Sequence, residues 1–126
     1  MKKGRDDLER FEVIAYTKTD GTVPVNEFLY QLQEHMRAKA LRELDLLAEF
    51  GNRLREPYSK YLGDGIFELR IKDGSDISRI LYFFFTGKRI ILTNGYIKKS
   101  RKIPSGEKKL AKKYRQDYLK REELSK

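Results

Sequence analysis

Ile66-Phe67-Glu68-Leu69-Arg70-Ile71, a Lys72-Asp73-Gly74-Ser75 turn, Ile77 to Phe85, a Thr86-Gly87-Lys88 turn and Arg89 to Ile97 form the stretch that decides the fold. Side chains along a strand point alternately to opposite faces, so Phe67, Leu69 and Ile71 share one face while Glu68 and Arg70 take the other. Glycine-bearing turns of this length join antiparallel neighbours, which makes the stretch three hairpin-connected strands. The apolar character of the last strands suits positions covered on both faces.

Phe11 to Thr17 is β-branched and aromatic in part and stops at Asp20-Gly21, which reads as a first strand ending in a turn. Pro24 opens a helix, where its missing N–H is no loss, and Val25, Phe28, Leu29 and Leu32 follow at helical spacing. A second stripe, Ala40, Leu41, Leu44, Leu47 and Ala48, runs to Gly51, with the break between the two helices near Gln33 to Met36. Arg53 to Gly65, with Pro57 and two glycines, reads as a loop. After Pro104 a last helix carries a narrow stripe of Leu110, Ala111, Tyr114 and Tyr118, enough to dock one face. The expected architecture is α+β in the order β-α-α-β-β-β-α, an antiparallel meander sheet with helices packed on one side. One domain spans 1–126, with 1–8 and 119–126 expected to fray.

Composition narrows the function. The chain has no cysteine and a single histidine, His35, which leaves no basis for a disulfide framework, a thiolate nucleophile or a conventional metal cage. Asp64, Asp73 and Asp76 sit at turns, and His35 lies between helical stripes, where a surface or capping role is expected. No signal-peptide pattern and no run near the ~18 apolar residues of a membrane span occurs, so the expected location is the cytoplasm, without membrane contact. Of a net charge of +9, residues 98–126 hold +8, from twelve Lys or Arg against four Asp or Glu. Such a block suits a nucleic-acid backbone, an acidic membrane surface or an acidic protein, or simply a solvated helix face.

Lys60-Tyr-Leu-Gly-Asp-Gly-Ile-Phe-Glu-Leu-Arg70, then Ser78-Arg-Ile-Leu-Tyr-Phe83, then Ile91-Leu-Thr-Asn-Gly-Tyr-Ile-Lys-Lys-Ser-Arg-Lys-Ile-Pro104 together resemble the RelE/ParE superfamily of toxins from type II toxin–antitoxin systems. The resemblance is to its HigB-like, phage-derived branch. It implies a RelE-like fold over roughly 11–118. It also implies a metal-independent, ribosome-dependent mRNA endoribonuclease that works in the A site of the small ribosomal particle. Such an enzyme needs no cofactor and stops translation and growth. The implied partner is a HigA-like helix-turn-helix antitoxin, with a heterotetramer as one form of the complex.

Cleaving RNA through its own 2′-hydroxyl requires in-line geometry, a base, an acid, and positive charge on the phosphorane oxygens. Arg70, opposite the core-facing Phe67 and Leu69, presents a planar fork suited to two phosphate oxygens; its bland alternative is a pair with Glu68. Arg79 shares a face with Ile77, Leu81 and Phe83, which marks either a functional cation or a buried ion pair. Lys98 and Lys99 leave the last strand on opposite faces, and crowding by Arg101 and Lys102 lowers a lysine pKa toward a proton-transfer role. Tyr96 stands where relatives commonly carry Phe, and Asn94 where they often carry His, so the acid and base roles pass to Lys98, Lys99, Tyr96 or Glu68. The candidate catalytic set is therefore Arg70, Arg79, Tyr96, Lys98 and Lys99. Lys60, Tyr61, Arg101 and Lys102 are assigned to RNA or ribosome contact, with Tyr58 and Tyr61 suited to stacking on a base. Two other readings stay open: a ParE-type gyrase inhibitor of the same fold, and a basic RNA-binding module without catalysis.

Overall fold

The computed structural model describes residues 10–98 and 105–125. In chain order the elements are β1 (Glu12–Ala15), α1 (Pro24–Gln31), α2 (Glu34–Phe50), a 3-10 turn (Gly51–Arg53), β2 (Ser59–Gly63), β3 (Ile66–Asp73), β4 (Asp76–Phe85), β5 (Arg89–Ile97) and α3 (Ser105–Leu124). The strands form one sheet in the order β1-β5-β4-β3-β2.

The hairpins are those expected. Asp73 pairs with Asp76 around a turn whose Gly74 has φ 64°, and Phe85 pairs with Arg89 around Gly87. α1 begins at Pro24. Its last carbonyls are taken up by Arg37, which donates through Nε to Leu29 O at 2.8 Å and through Nη2 to Tyr30 O at 3.0 Å and to Leu32 O. A cation from the next helix thus closes the end of α1 and fixes the bend at Leu32 and Gln33. α2 stops at Gly51, φ 53°, where a Cβ would fall inside the Phe11 ring.

Three expectations need correction. The segment read as a loop contains β2, which pairs antiparallel with β3 from Ser59↔Leu69 to Gly63↔Ile66 with an irregularity between Tyr61 and Gly63. As an edge strand with one paired side and a glycine end, it lacks the apolar alternation of an inner strand. Second, β1 runs parallel to β5, from Glu12↔Arg89 to Ala15↔Leu92, so the sheet is mixed rather than purely antiparallel. Third, helices cover both faces. α1 and α2 close over Leu69, Ile71, Ile80, Tyr82, Ile90 and Leu92, while α3 docks through Ala111, Tyr114 and Tyr118 on Ile66, Leu81, Phe83 and Ile91. α3 runs on through 119–124, and Arg121 contacts Asp117 at 2.6 Å and the Thr17 carbonyl. Residues 1–9 and 126 lie outside the described residues. No helix among the described residues is long and apolar enough to cross a membrane.

Candidate functional site

Strand register builds the site. Arg70 of β3 stands directly opposite Arg79 of β4, which stands opposite Tyr96 of β5, while Lys60 of β2 stands opposite Glu68. Directly paired residues share a face, so Lys60, Glu68, Arg70, Arg79 and Tyr96 all project to the α3 side of the sheet. α3 packs on the apolar part of this face, and Tyr96 belongs to the same cluster as Ala111 of α3. Its first turn is held by Asn94, whose Nδ2 donates to the Glu107 carbonyl at 3.2 Å and to Glu107 Oε1 at 3.0 Å.

Two layers result. The lower one is buried: Glu68 and Arg79 are 0% and 1% exposed and form an ion pair through Arg79 Nη1 and Glu68 Oε2. Among the described residues Arg79 Nε and Nη2, Glu68 Oε1 and the Tyr96 hydroxyl are buried with no hydrogen-bond partner. Burial first, then the Glu68 charge, pushes the Tyr96 phenol up to about 12, which keeps it protonated near neutral pH.

The upper layer is open to solvent. Arg70 keeps 28% of its side chain exposed, with Nε 3.6 Å from Glu68 Oε2. Lys60 is exposed at the edge, and Lys98 is half-buried where β5 ends, its N–H donating to the Ile77 carbonyl at 3.0 Å. Removal from water, then repulsion by Arg79 and Arg70 and less by Lys60, holds the Lys98 ammonium below the usual lysine range against the pull of Glu68. The cations that press on Lys98 therefore come from across the sheet, and not only from its own segment.

Lys99, Arg101 and Lys102 lie outside the described residues. Tyr61 is on the opposite face, its ring tilted against Phe67 at 4.8 Å, with its hydroxyl accepting the Gly65 N–H at 2.9 Å. It is exposed but does not join the Arg70 cluster. His35 pairs with Asp73 at 2.7 Å on the surface, and no group of three or more His, Cys, Asp or Glu among the described residues could hold a metal. The basic last helix divides by role. Lys108 and Lys112 both bind Asp64 at 3.2 Å, and Lys108 donates to the Leu62 carbonyl at 2.8 Å, so these cations pin α3 to the β2–β3 hairpin. Lys109 and Lys113 are exposed beside a shallow groove with Gln116 and Leu119.

Sequence reasoning undervalued two residues. Glu68 holds both arginines, and its signal was present: an acid on the same face as Arg70, in a strand otherwise apolar. Asn94 anchors the start of α3, a role no local pattern announces, because its partner lies 13 residues on.

A small mixed sheet with helices on both faces and a cationic row along one of them is the frame of a basic α+β domain. The family model for phage-derived Gp49-like proteins (DUF891) matches residues 27–116, and the chain belongs to that family. The family is associated with RelE-like toxins of toxin–antitoxin systems, and a toxin of that kind has an antitoxin partner. No curated protein matches the chain by sequence.

Proposed function

We propose that the protein is the toxin of a type II toxin–antitoxin system, a HigB-like endoribonuclease of RelE-like fold that cuts mRNA in the ribosomal A site without a metal ion. A HigA-like antitoxin neutralises it. The observation that carries the reading is the convergence of Arg70, Lys98 and Lys60 above a buried Glu68–Arg79 pair.

In this reaction the 2′-oxygen attacks phosphorus and the bond to the 5′-oxygen breaks. The products are a 2′,3′-cyclic phosphate and a 5′-hydroxyl. One proton leaves the 2′-hydroxyl and one reaches the 5′-oxygen. Arg70 grips two non-bridging oxygens and balances the charge that builds on them. Lys98, held below the usual lysine range, is assigned one proton transfer, and Lys99, next to it in the chain, is assigned the other. Lys60, Arg101 and Lys102 bind flanking phosphates. Arg79 and Tyr96 act from beneath as positioning residues: their positive and dipolar charge sits under the reacting phosphate, and Glu68 fixes Arg70 within reach.

Mapping 5′ ends of transcripts after brief induction, together with purified protein on programmed ribosomes with and without a chelator, tests the reading. Transcripts cut with new 5′-hydroxyl ends, unaffected by the chelator and lost in Arg70→Ala and Lys98→Ala, are expected. Intact transcripts alongside inhibited gyrase supercoiling would replace this reading by that of a gyrase poison.

A further inference from the structure

β2 ends short of the sheet's length, so the outer edge of β3 from Arg70 onward meets α2 and the loop before β2 instead of another strand. A groove of about 330 Å³ opens there, lined by Glu43, Pro57, Tyr58, Arg70, Lys72 and Ile77. Arg70 belongs to both the groove and the cationic row, so the groove begins where the proposed phosphate site ends. Its wall is Tyr58, 47% exposed and held in place by its carbonyl, which accepts the Arg70 N–H at 2.9 Å.

Glu43 is the unexplained member. It reaches from α2 into an otherwise cationic corner, and its Oε1 is shut off from water with no hydrogen-bond partner among the described residues. A buried acceptor left unmet is costly, and the broad terminal torsion of a glutamate lets that oxygen turn to a donor entering the groove. Burial also raises the Glu43 carboxyl against the opposing pull of Arg42 and Lys39, so its charge is poorly compensated when the groove is empty. Lys72, which also lines the groove, carries an ammonium donor.

We propose that this groove is the subsite for the nucleobase next to the scissile phosphate, that Tyr58 stacks on the base, and that Glu43 and Lys72 select guanine. Guanine offers what the two side chains ask for: adjacent N1–H and N2–H donors for a carboxylate, and O6 and N7 acceptors for an ammonium. Uracil has no exocyclic amino donor. Bases unstacked from a single strand are read in this way, by a ring on one face and hydrogen bonds at the edge. The inference rests on the nuclease reading for its biological substrate, while the pocket itself is testable without catalysis.

Two measurements separate them. Guanosine 3′-monophosphate and uridine 3′-monophosphate are titrated into the isotope-labelled full chain, and wild type, Glu43→Gln, Tyr58→Ala and Tyr58→Phe are compared on ribosomes programmed with codons differing only in guanine or uracil. Guanosine monophosphate is expected to shift resonances of Glu43, Tyr58 and Lys72 and to bind about tenfold more tightly than uridine monophosphate, with Glu43→Gln erasing the difference. Tyr58→Ala weakens both nucleotides, and Tyr58→Phe restores them. On ribosomes, Glu43→Gln is expected to remove the preference for guanine codons over uracil codons. If wild type cuts and Glu43→Gln keeps the same base profile, the subsite is overturned and the nuclease stands. If guanosine monophosphate binds at these residues while no transcript is cut, the nuclease reading falls and the pocket stands.

Discussion

Removing the Glu68 carboxylate would leave the Arg79 guanidinium in the interior without its counter-charge, which is a far larger insult than losing a surface pair. Glu68→Gln is expected to lower stability by roughly 3–5 kcal/mol, read as a drop in the denaturant midpoint. Replacing both partners, as in Glu68→Leu with Arg79→Met, removes the unpaired charge and should recover most of that stability. The same double variant should still fail to cut RNA, because the carboxylate that fixes Arg70 and the guanidinium beneath it have both gone; normal cutting by it would remove Arg79 and Glu68 from the site. Arg70→Ala behaves oppositely, with stability nearly unchanged and cutting down by about 10²-fold. Lys98 gives the pH signature. Below its lowered pKa the ammonium keeps its proton; above it the free amine accepts one, so the rate governed by a base at Lys98 rises with pH earlier than for an ordinary lysine. Lys98→Arg, which stays protonated throughout, should flatten that limb of the profile. The alternation of β3 and the oddity of Arg79 were both legible in the sequence. What it left open was whether Arg79 meets solvent or an acid, since depth depends on what α3 covers.

α3 turns a charge block into two populations, and that division was invisible in composition. Lys108, Lys112 and Arg115 converge on Asp64 and its neighbours, whereas Lys109 and Lys113 face outward. Asp64→Asn removes an acid held below the usual carboxylate range by Lys108 and Lys112, yet as an exposed group it should have only a small effect on stability. Charge reversal at Lys109 and Lys113 should leave the melting transition in place and weaken RNA binding. The slope of log affinity against log salt should fall by about 0.7 for each phosphate that is no longer neutralised. An unchanged slope would confine RNA to the sheet side. The helices and the three inner strands could be read because each repeats a local period over many residues. β2 could not: its five residues alternate poorly, and only the free edge of β3 makes them a strand. The parallel seat of β1 beside β5 was equally hidden, because Val13 and Ile90 are brought together by two helices and a whole meander between them. The face that Tyr61 takes was hidden for the same reason, since it follows from pairing with Phe67 and not from nearness to Lys60 in the chain.

At the scale of the whole molecule, both cores contain buried phenols. Tyr82 lies under α1 and α2, and Tyr16 and Tyr96 lie on the α3 side. Burial pushes each of them up to about 12, with Asp117, which accepts the Tyr16 hydroxyl at 2.6 Å, adding to the shift of Tyr16. The unfolded chain ionises these groups near 10, so between about pH 10 and 12 it binds fewer protons than the folded protein. Stability must therefore fall as pH rises through that window, by on the order of 1–2 kcal/mol per phenol. Tyrosinate absorbance and helical circular dichroism, followed together, should show the last phenols ionising as the helices melt. Tyr82→Phe should soften the decline, because it removes one of the coupled protons and keeps the ring contacts to Phe67 and Phe84. Stability that stayed flat from pH 9 to 12 would mean that the phenols are hydrated, and that the two faces of the sheet are not sealed by the helices laid against them.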